Sequence, residues 1–273
     1  MRVLRAHHIA KLVALVDELF PRRIANPLGG RPVVLHQNEV ISLLIFSGLV
    51  APQRTLKGIL VWAQTHYYRR FSLPSYKSWI RKCHTALPAM ITLLCRLLKT
   101  DAPLRFIDST MLPVCRLIRA TGHKVAKGAA DFGKNWQGWH YGFKLHAACN
   151  ETGQLAAIYS TPANESDSQQ IPHLINDHTR LAVGDGGYAA SVMGRKMWRE
   201  HKTLIITPPH PKQTKKIATH WQIAIIQQRP KIECVFDYLK EHLLLVTSFP
   251  RSVNGYAVHY IRTLLSYQVM WGF

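Results

Sequence analysis

Apolar residues recur at helical spacing through roughly the first hundred positions and then change period. Ile9, Leu12, Val13, Val16, Leu19 and Phe20 share one face, which predicts a helix over 7–20 that Pro21 ends. Arg22-Arg23 through Gly29-Gly30-Arg31-Pro32 reads as a basic loop. A second pattern runs from Asn38 to Phe46 and stops at Gly48, and a third occupies 55–64. From 75 to 99, Trp79, Ile80, Cys83, Leu87, Met90, Ile91, Leu94 and Leu97 make another amphipathic helix, interrupted near Pro88. Helices joined by a short Gly-containing turn fit a helix-turn-helix unit that reads DNA, and equally any small helical domain. Tyr67, Tyr68, Arg69, Arg70 and Phe71 interleave rings and cations, which suits either stacking on nucleic acid or a half-buried helix end.

At Thr100-Asp101-Ala102-Pro103 the pattern turns strand-like, so the chain divides into a helical region, 1–100, and a second region, 101–273. Leu104 to Ile107 is a short apolar run that ends on Asp108-Ser109-Thr110. Gly142 to Cys149 reads as a strand, Asn150 to Gly153 as a turn, and Gln154 to Tyr159 as the returning strand. A short helix over 168–177 precedes Leu181-Ala182-Val183-Gly184-Asp185-Gly186-Gly187-Tyr188, a second apolar run ending on an acid. Then come a helix over 189–201, a strand over 203–207, a basic loop over 208–216, the helix bearing Glu233, and a last amphipathic helix over 254–271. A hairpin beside the first strand, followed by alternating strands and helices, describes an α/β domain with a mixed sheet flanked by helices.

Length and composition narrow the function. The 273 residues suffice for one large domain or two smaller ones. Lys and Arg outnumber Asp and Glu 35 to 15, and the net charge of +20 favours a polyanionic partner such as DNA or RNA. The five cysteines are odd in number and form no C-x-x-C pair, which argues against a disulfide framework or structural zinc and fits a reducing cytoplasm. The N-terminus lacks the apolar core of a signal peptide, and the longest apolar stretches, such as 40–50, are too short to span a bilayer. A cytoplasmic, nucleoid-associated protein with no membrane partner is expected.

Against so few acids, a carboxylate closing an apolar strand is an expensive placement, because an unpaired buried charge costs several kcal/mol. Asp108 and Asp185 are both so placed, and Glu233 lies in the helical run Arg229-Pro230-Lys231-Ile232-Glu233. Each has a local alternative. Asp108 caps the next segment, Asp185 is a turn residue, or Glu233 pairs with Arg229 or Lys240 on its helix. Together, in the order strand, strand, helix, they suit a pair of divalent cations that activate one oxygen and stabilise another in phosphodiester cleavage.

The run Phe106-Ile107-Asp108-Ser109-Thr110, the run Asp185-Gly186-Gly187-Tyr188, and the spacing of Arg229, Glu233 and Lys240 resemble the DDE transposases of bacterial insertion sequences. The segment from Gly138 to His146 further resembles the insertion-sequence family numbered nine-eighty-two. The resemblance runs from about Gly30 to the C-terminus. It implies an RNase H-like catalytic domain and two Mg²⁺ or Mn²⁺ ions on Asp108, Asp185 and Glu233, with no small-molecule cofactor. It also implies cleavage at terminal inverted repeats of double-stranded DNA and strand transfer into target DNA by a homodimer or larger assembly. Arg229 and Lys240 match the basic positions flanking the family's Glu, and on an ideal helix both share its face. Related signatures often carry Tyr three residues before the Arg, where this chain has Ile226, and Pro230 starts or kinks the helix beside Arg229.

The remaining cations divide by place. Lys124, Lys127, Lys134 and Lys144 lie between the first Asp and the hairpin, and Lys212, Lys215 and Lys216 lie in the loop before the Glu233 helix. All are expected to contact phosphates, which supplies affinity without sequence information. His140 and His146 are expected to be packed or hydrogen-bonded, and Trp136 and Trp139 to anchor core or loop. Two rival functions stay open: an RNase H-like nuclease or resolvase without strand transfer, and a DNA-binding relic that no longer cuts.

Overall fold

A computed structural model of the chain describes residues 6–19, 34–135, 137–189, 191–209 and 219–272. In chain order the helices α1 (Ala6–Leu19), α2 (Gln37–Val50), α3 (Leu56–His66) and α4 (Tyr76–Leu97) come first. Strands β1 (Leu104–Pro113), β2 (Asp131–Asn135), β3 (Gly138–Cys149) and β4 (Leu155–Pro162) follow, then a single turn of helix α5 (Ile171–Leu174) and β5 (Leu181–Val183). The chain continues through α6 (Ser191–His201), β6 (Leu204–Ile206), α7 (His220–Ile226), α8 (Pro230–Asp237) and α9 (Val253–Val269). None of the described helices is long and apolar enough to cross a membrane.

These elements form two compact units. One comprises the described residues up to Leu97 together with those from Leu239 onward, so α9, expected with the second region, packs with the N-terminal helices. The other runs from Leu98 to Tyr238.

In the helical unit α2 is apolar on every side and buried from Val40 to Gly48, as a central helix must be. The helix runs past Gly48, which the sequence pattern treats as its end. A Cβ at Gly48 would stand 2.2 Å from the Ser266 hydroxyl of α9, so the glycine is there for close approach. Ser266 Oγ donates to the Ile45 carbonyl at 2.9 Å across that contact. Helix α4 passes through Pro88 without a break. Pro88 removes one backbone donor, yet Trp79, Cys83 and Ala86 before it and Met90, Leu93 and Leu94 after it are buried, and that packing holds both halves on one axis.

In the second unit β1 pairs antiparallel with β3 and parallel with β5, and β5 pairs parallel with β6. Strand β3 also pairs antiparallel with β4 and, over its first residues, with β2. The result is a mixed, six-stranded sheet with helices packed on it, an RNase H-like α/β arrangement preceded by a helical region. Ile107, Ala148, Ala156, Ile171, Leu174, Ala182 and Met197 fill one of its cores. Arg105 of β1 is buried, and its guanidinium is satisfied by four oxygens: the carbonyls of Ala102, Thr100 and Leu174, and Asn176 Oδ1. Burial lowers its pKa to about 10, partly offset by Asp101, so the group stays charged.

Candidate active site

The register of the sheet brings the two aspartates together. In the parallel pair β1–β5, Phe106 faces Val183, and Asp108 and Asp185 each lie two residues further on. Neighbouring strands run about 5 Å apart, so Asp108, midway along β1, and Asp185, just past the end of β5, come side by side. Two features hold Asp185 there. Its Oδ1 accepts from the Gly187 amide at 2.9 Å, capping the short turn Gly186–Tyr188. Gly184 makes room for that turn: a Cβ there would lie 2.9 Å from the Tyr188 ring.

Helix α8 supplies the third acid. Pro230 occupies its first turn, where the missing N–H is harmless, and Arg229 keeps helical backbone angles. Ile232, Val235 and Phe236 are buried and fix the helix against β1 and β3. Arg229 and Glu233, four residues apart, then fall on one side. The Arg229 guanidinium donates to Asp108 Oδ2 at 3.2 Å and, through its other terminal nitrogen, to Glu233 Oε1. Arg229 therefore clamps two of the three carboxylates.

The Asp108 side chain is only 17% exposed. Burial raises its carboxyl to about 6. The Ser109 amide, at 2.7 Å from Oδ1, and Arg229 pull the other way, while Asp185 and Glu233 push it up further. The three carboxylates thus act on one another electrically, and Arg229 is the cation that offsets them. The local alternatives are realised at the same time, since Asp108 takes the next amide, Asp185 caps a turn and Glu233 pairs with Arg229.

Among the described residues, no three His, Cys, Asp or Glu side chains gather closely enough as they stand to hold a metal ion. The donor chemistry nonetheless fits a hard divalent cation. All three are carboxylates, and beyond the larger effect of burial Asp185 and Glu233 each push the Asp108 carboxyl up, a repulsion that a cation relieves.

Beside the site lies a cluster that sequence reasoning did not find. Lys144 on β3 is only 7% exposed, and its ammonium donates to the Glu165 carbonyl at 2.7 Å and to Asp167 Oδ1 at 3.2 Å. Asp167 in turn borders Gly187, next to Asp185. His146 is fully buried, shares a 2.9 Å hydrogen bond with the Thr161 hydroxyl, and has its Nδ1 3.5 Å from Asp167. Burial lowers the His146 pKa to about 4, Asp167 opposing and Lys144 and His173 reinforcing, so the ring is neutral at pH 7. Burial drives the Tyr188 phenol well above its ordinary range, as do Asp167, Asp108 and Asp185, and it stays protonated. The sequence offered only a weak hint: a lysine inside an apolar strand needs a carboxylate partner if its ammonium is buried, and nothing local says that it is.

The other expected cations are distributed unevenly. Lys144 is committed inside its unit, which corrects its reading as a phosphate contact. Lys124, Lys127 and Lys134 are exposed, with Lys134 5.8 Å from the Trp139 ring. Trp139 is itself exposed, not a core anchor. Lys240 falls in the π turn Tyr238–His242, so the ideal α-helical phase with Glu233 ends before it. Lys212, Lys215, Lys216 and Trp136 lie outside the described residues. His140 shares a hydrogen bond with Asn135, as a packed histidine does. Lys231, 5.8 Å from the Phe106 ring, is a cation on α8 that the pattern did not single out.

The sequence model of a domain family described as the transposase DDE domain matches residues 99–253. No curated protein matches the chain.

Proposed function

We propose that this chain, which belongs to the transposase DDE-domain family, cuts DNA at the terminal inverted repeats of an insertion sequence and joins the freed ends to target DNA. The observation that carries this reading is the Arg229 clamp on Asp108 and Glu233 beside Asp185, which links strand, strand and helix in one electrostatic unit. Asp108, Asp185 and Glu233 are the residues that would hold divalent ions, Mg²⁺ or Mn²⁺. Such ions supply Lewis-acid polarisation of the phosphate and activation of the attacking oxygen. We assign the chain's own groups as follows. Arg229 neutralises Asp108 and Glu233 before substrate enters and then turns to the phosphate. Tyr188, held protonated, supports the Asp185 turn from below. Lys124, Lys127 and Lys134, with Lys212, Lys215, Lys216 and Lys240, hold the DNA backbone.

In the first step water attacks the phosphodiester, a P–O bond forms, and the bond to the 3′ oxygen breaks, leaving a 3′-OH at the element's end. In the second, that hydroxyl attacks a target phosphodiester and forms a new P–O bond while the target's own bond from phosphorus to its 3′ oxygen breaks; the released target 3′ oxygen takes up a proton, so the count of P–O bonds is unchanged. No protein–DNA bond forms, and no Ser or Tyr nucleophile is required. The branch numbered nine-eighty-two and a homodimeric or larger assembly on two DNA ends belong to the same proposal.

The test is Mg²⁺- or Mn²⁺-dependent cleavage and joining of DNA that carries the element's own ends, comparing the unmodified chain with Asp185→Asn. Joined products from the first and none from the second are expected, with binding to the ends unchanged. Equal cleavage by both proteins would sink the assignment of the triad. Cleavage without joining would move the chain to the nuclease reading, and binding without cleavage by either to the relic.

A further inference from the structure

The helical unit holds a cavity of about 590 Å³. It is walled by the start of α3, the first turns of α4 and the stretch 249–259 that leads into α9. Arg54, Lys57, Lys77 and Arg251 stand around it, and among the described residues no acidic one lines it. All four are exposed, and among the described residues none of their side chains enters a hydrogen bond or an ion pair. Four like charges around one hollow repel, and the described residues supply no counter-charge in its lining.

The backbone adds to the same sign. Helices α3 and α9 both begin at this cavity, capped by Thr55 and Ser252, whose hydroxyls accept from the Gly58 and Gly255 amides at 2.9 and 3.0 Å. Each cap serves one amide of its first turn, and the remaining N–H groups and the positive helix end still favour an anion. His259, also in the lining, is backed by Arg262 at 3.0 Å. Arg262 is buried, its Nε and one terminal nitrogen lack partners among the described residues, and with a pKa of about 10 it stays charged.

The walls are not only cationic. Tyr76 is 51% exposed and Phe249 48%, two rings presented to one hollow. Cations with no acid, two helix N-termini and flat apolar faces are the combination that takes a phosphate and a base together. A cavity of this volume falls in the range for small ligands, about 300–1,000 Å³, which admits one nucleotide and not a duplex.

We propose that this cavity seats one unpaired nucleotide of a DNA strand, its phosphates among Arg54, Lys57, Lys77 and Arg251 and its base on Tyr76 or Phe249. The choice of DNA over RNA rests on the DDE reading; the cavity's chemistry does not.

The experiment uses the full chain in EDTA, so that cleavage cannot occur, with fluorescence anisotropy as the readout. The probes are a blunt DNA duplex, the same duplex with a short single-stranded overhang, and an RNA strand of the overhang sequence. The overhang should improve affinity about ten-fold, and Tyr76→Ala with Phe249→Ala should remove that gain. Arg54→Gln with Lys77→Gln should lower the log–log salt slope by about 1.4, two single-strand phosphate contacts. An overhang carrying 5-iododeoxyuridine should photo-crosslink to Tyr76 or Phe249 in the unmodified chain, a readout that no substitution can confound. Crosslinks confined to other residues, or no gain from the overhang, would overturn the proposal, as would tighter binding of the RNA strand. Asp185→Asn should bind all three probes as the unmodified chain does. Retained overhang binding without cleavage therefore counts against the catalytic reading alone, and cleavage without it against this one alone.

Discussion

Asp108 sits where a carboxylate is hard to keep ionised, and that strain is measurable without substrate. Its folded pKa of about 6 lies above the value of about 3.9 expected in the unfolded chain. The folded protein therefore binds the proton more tightly, so stability falls as pH rises from about 4 to 6 and stays lower above that. A shift of that size corresponds to about 3 kcal/mol at full ionisation. Asp108→Asn in EDTA should thus stabilise the protein by about 1–3 kcal/mol at pH 7.5, while Arg229 keeps Glu233 as its partner. The gain should shrink below pH 6 and vanish near pH 4. Chemical denaturation at several pH values checks this, and a gain independent of pH would mean that Asp108 is not the strained group. Residues of this kind were legible in the sequence because acids are scarce and two of them close apolar runs. Lys144 was not, because a lysine between Phe143 and Leu145 looks the same in sequence whether its ammonium reaches solvent or Asp167. Only the chain's return through 165–167 decides it.

At the scale of elements, periodicity located most helices and strands, and it failed where a residue serves a neighbour instead of its own element. Gly48 is the clearest case: locally a helix stop, in the fold the point where α2 and α9 meet. Gly48→Ala would press a methyl on Ser266 and should destabilise the helical unit by about 1–3 kcal/mol. Adding Ser266→Gly removes both the hydroxyl and the Cβ it strikes, and should recover part of the loss. Thermal unfolding of the single and double variants measures this, and equal loss in both would show that the clash is not the cause. Strand β2, Asp-Phe-Gly-Lys-Asn, was missed for a related reason: it has no apolar alternation and exists because β3 offers it an edge. The same pairing starts β3 at Gly138, ahead of the apolar run that begins at Gly142. Helix α9 was found from its own pattern, but nothing local says which unit its apolar face joins.

For the whole molecule the dominant quantity is a charge of +20, and what matters is which of those cations face solvent. Exposed lysines release condensed counterions from DNA when they bind phosphates, and each such contact adds about 0.9 to the slope of log affinity against log salt. A buried lysine contributes nothing to that slope, however near it lies in sequence. Lys124, Lys127 and Lys134 are exposed and Lys144, inside β3, is not, although all four follow the first Asp within forty residues and look alike in the chain. Replacing the first three with Gln should lower the slope for duplex DNA by up to about 2.7 and leave the unfolding temperature nearly unchanged. Lys144→Gln should do the reverse. It should keep the slope, but it should lower the unfolding temperature, because Asp167 loses its ion pair and the Glu165 carbonyl its donor. Titrations of Asp185→Asn protein at several salt concentrations separate the two effects, since that variant binds without cutting in the proposed mechanism. If Lys144→Gln changes the slope as an exposed lysine does, the ammonium reaches DNA and the cluster with Asp167 opens on binding. If the triple variant leaves the slope untouched, the DNA runs over a different face, and Lys212, Lys215 and Lys216 become the first residues to neutralise.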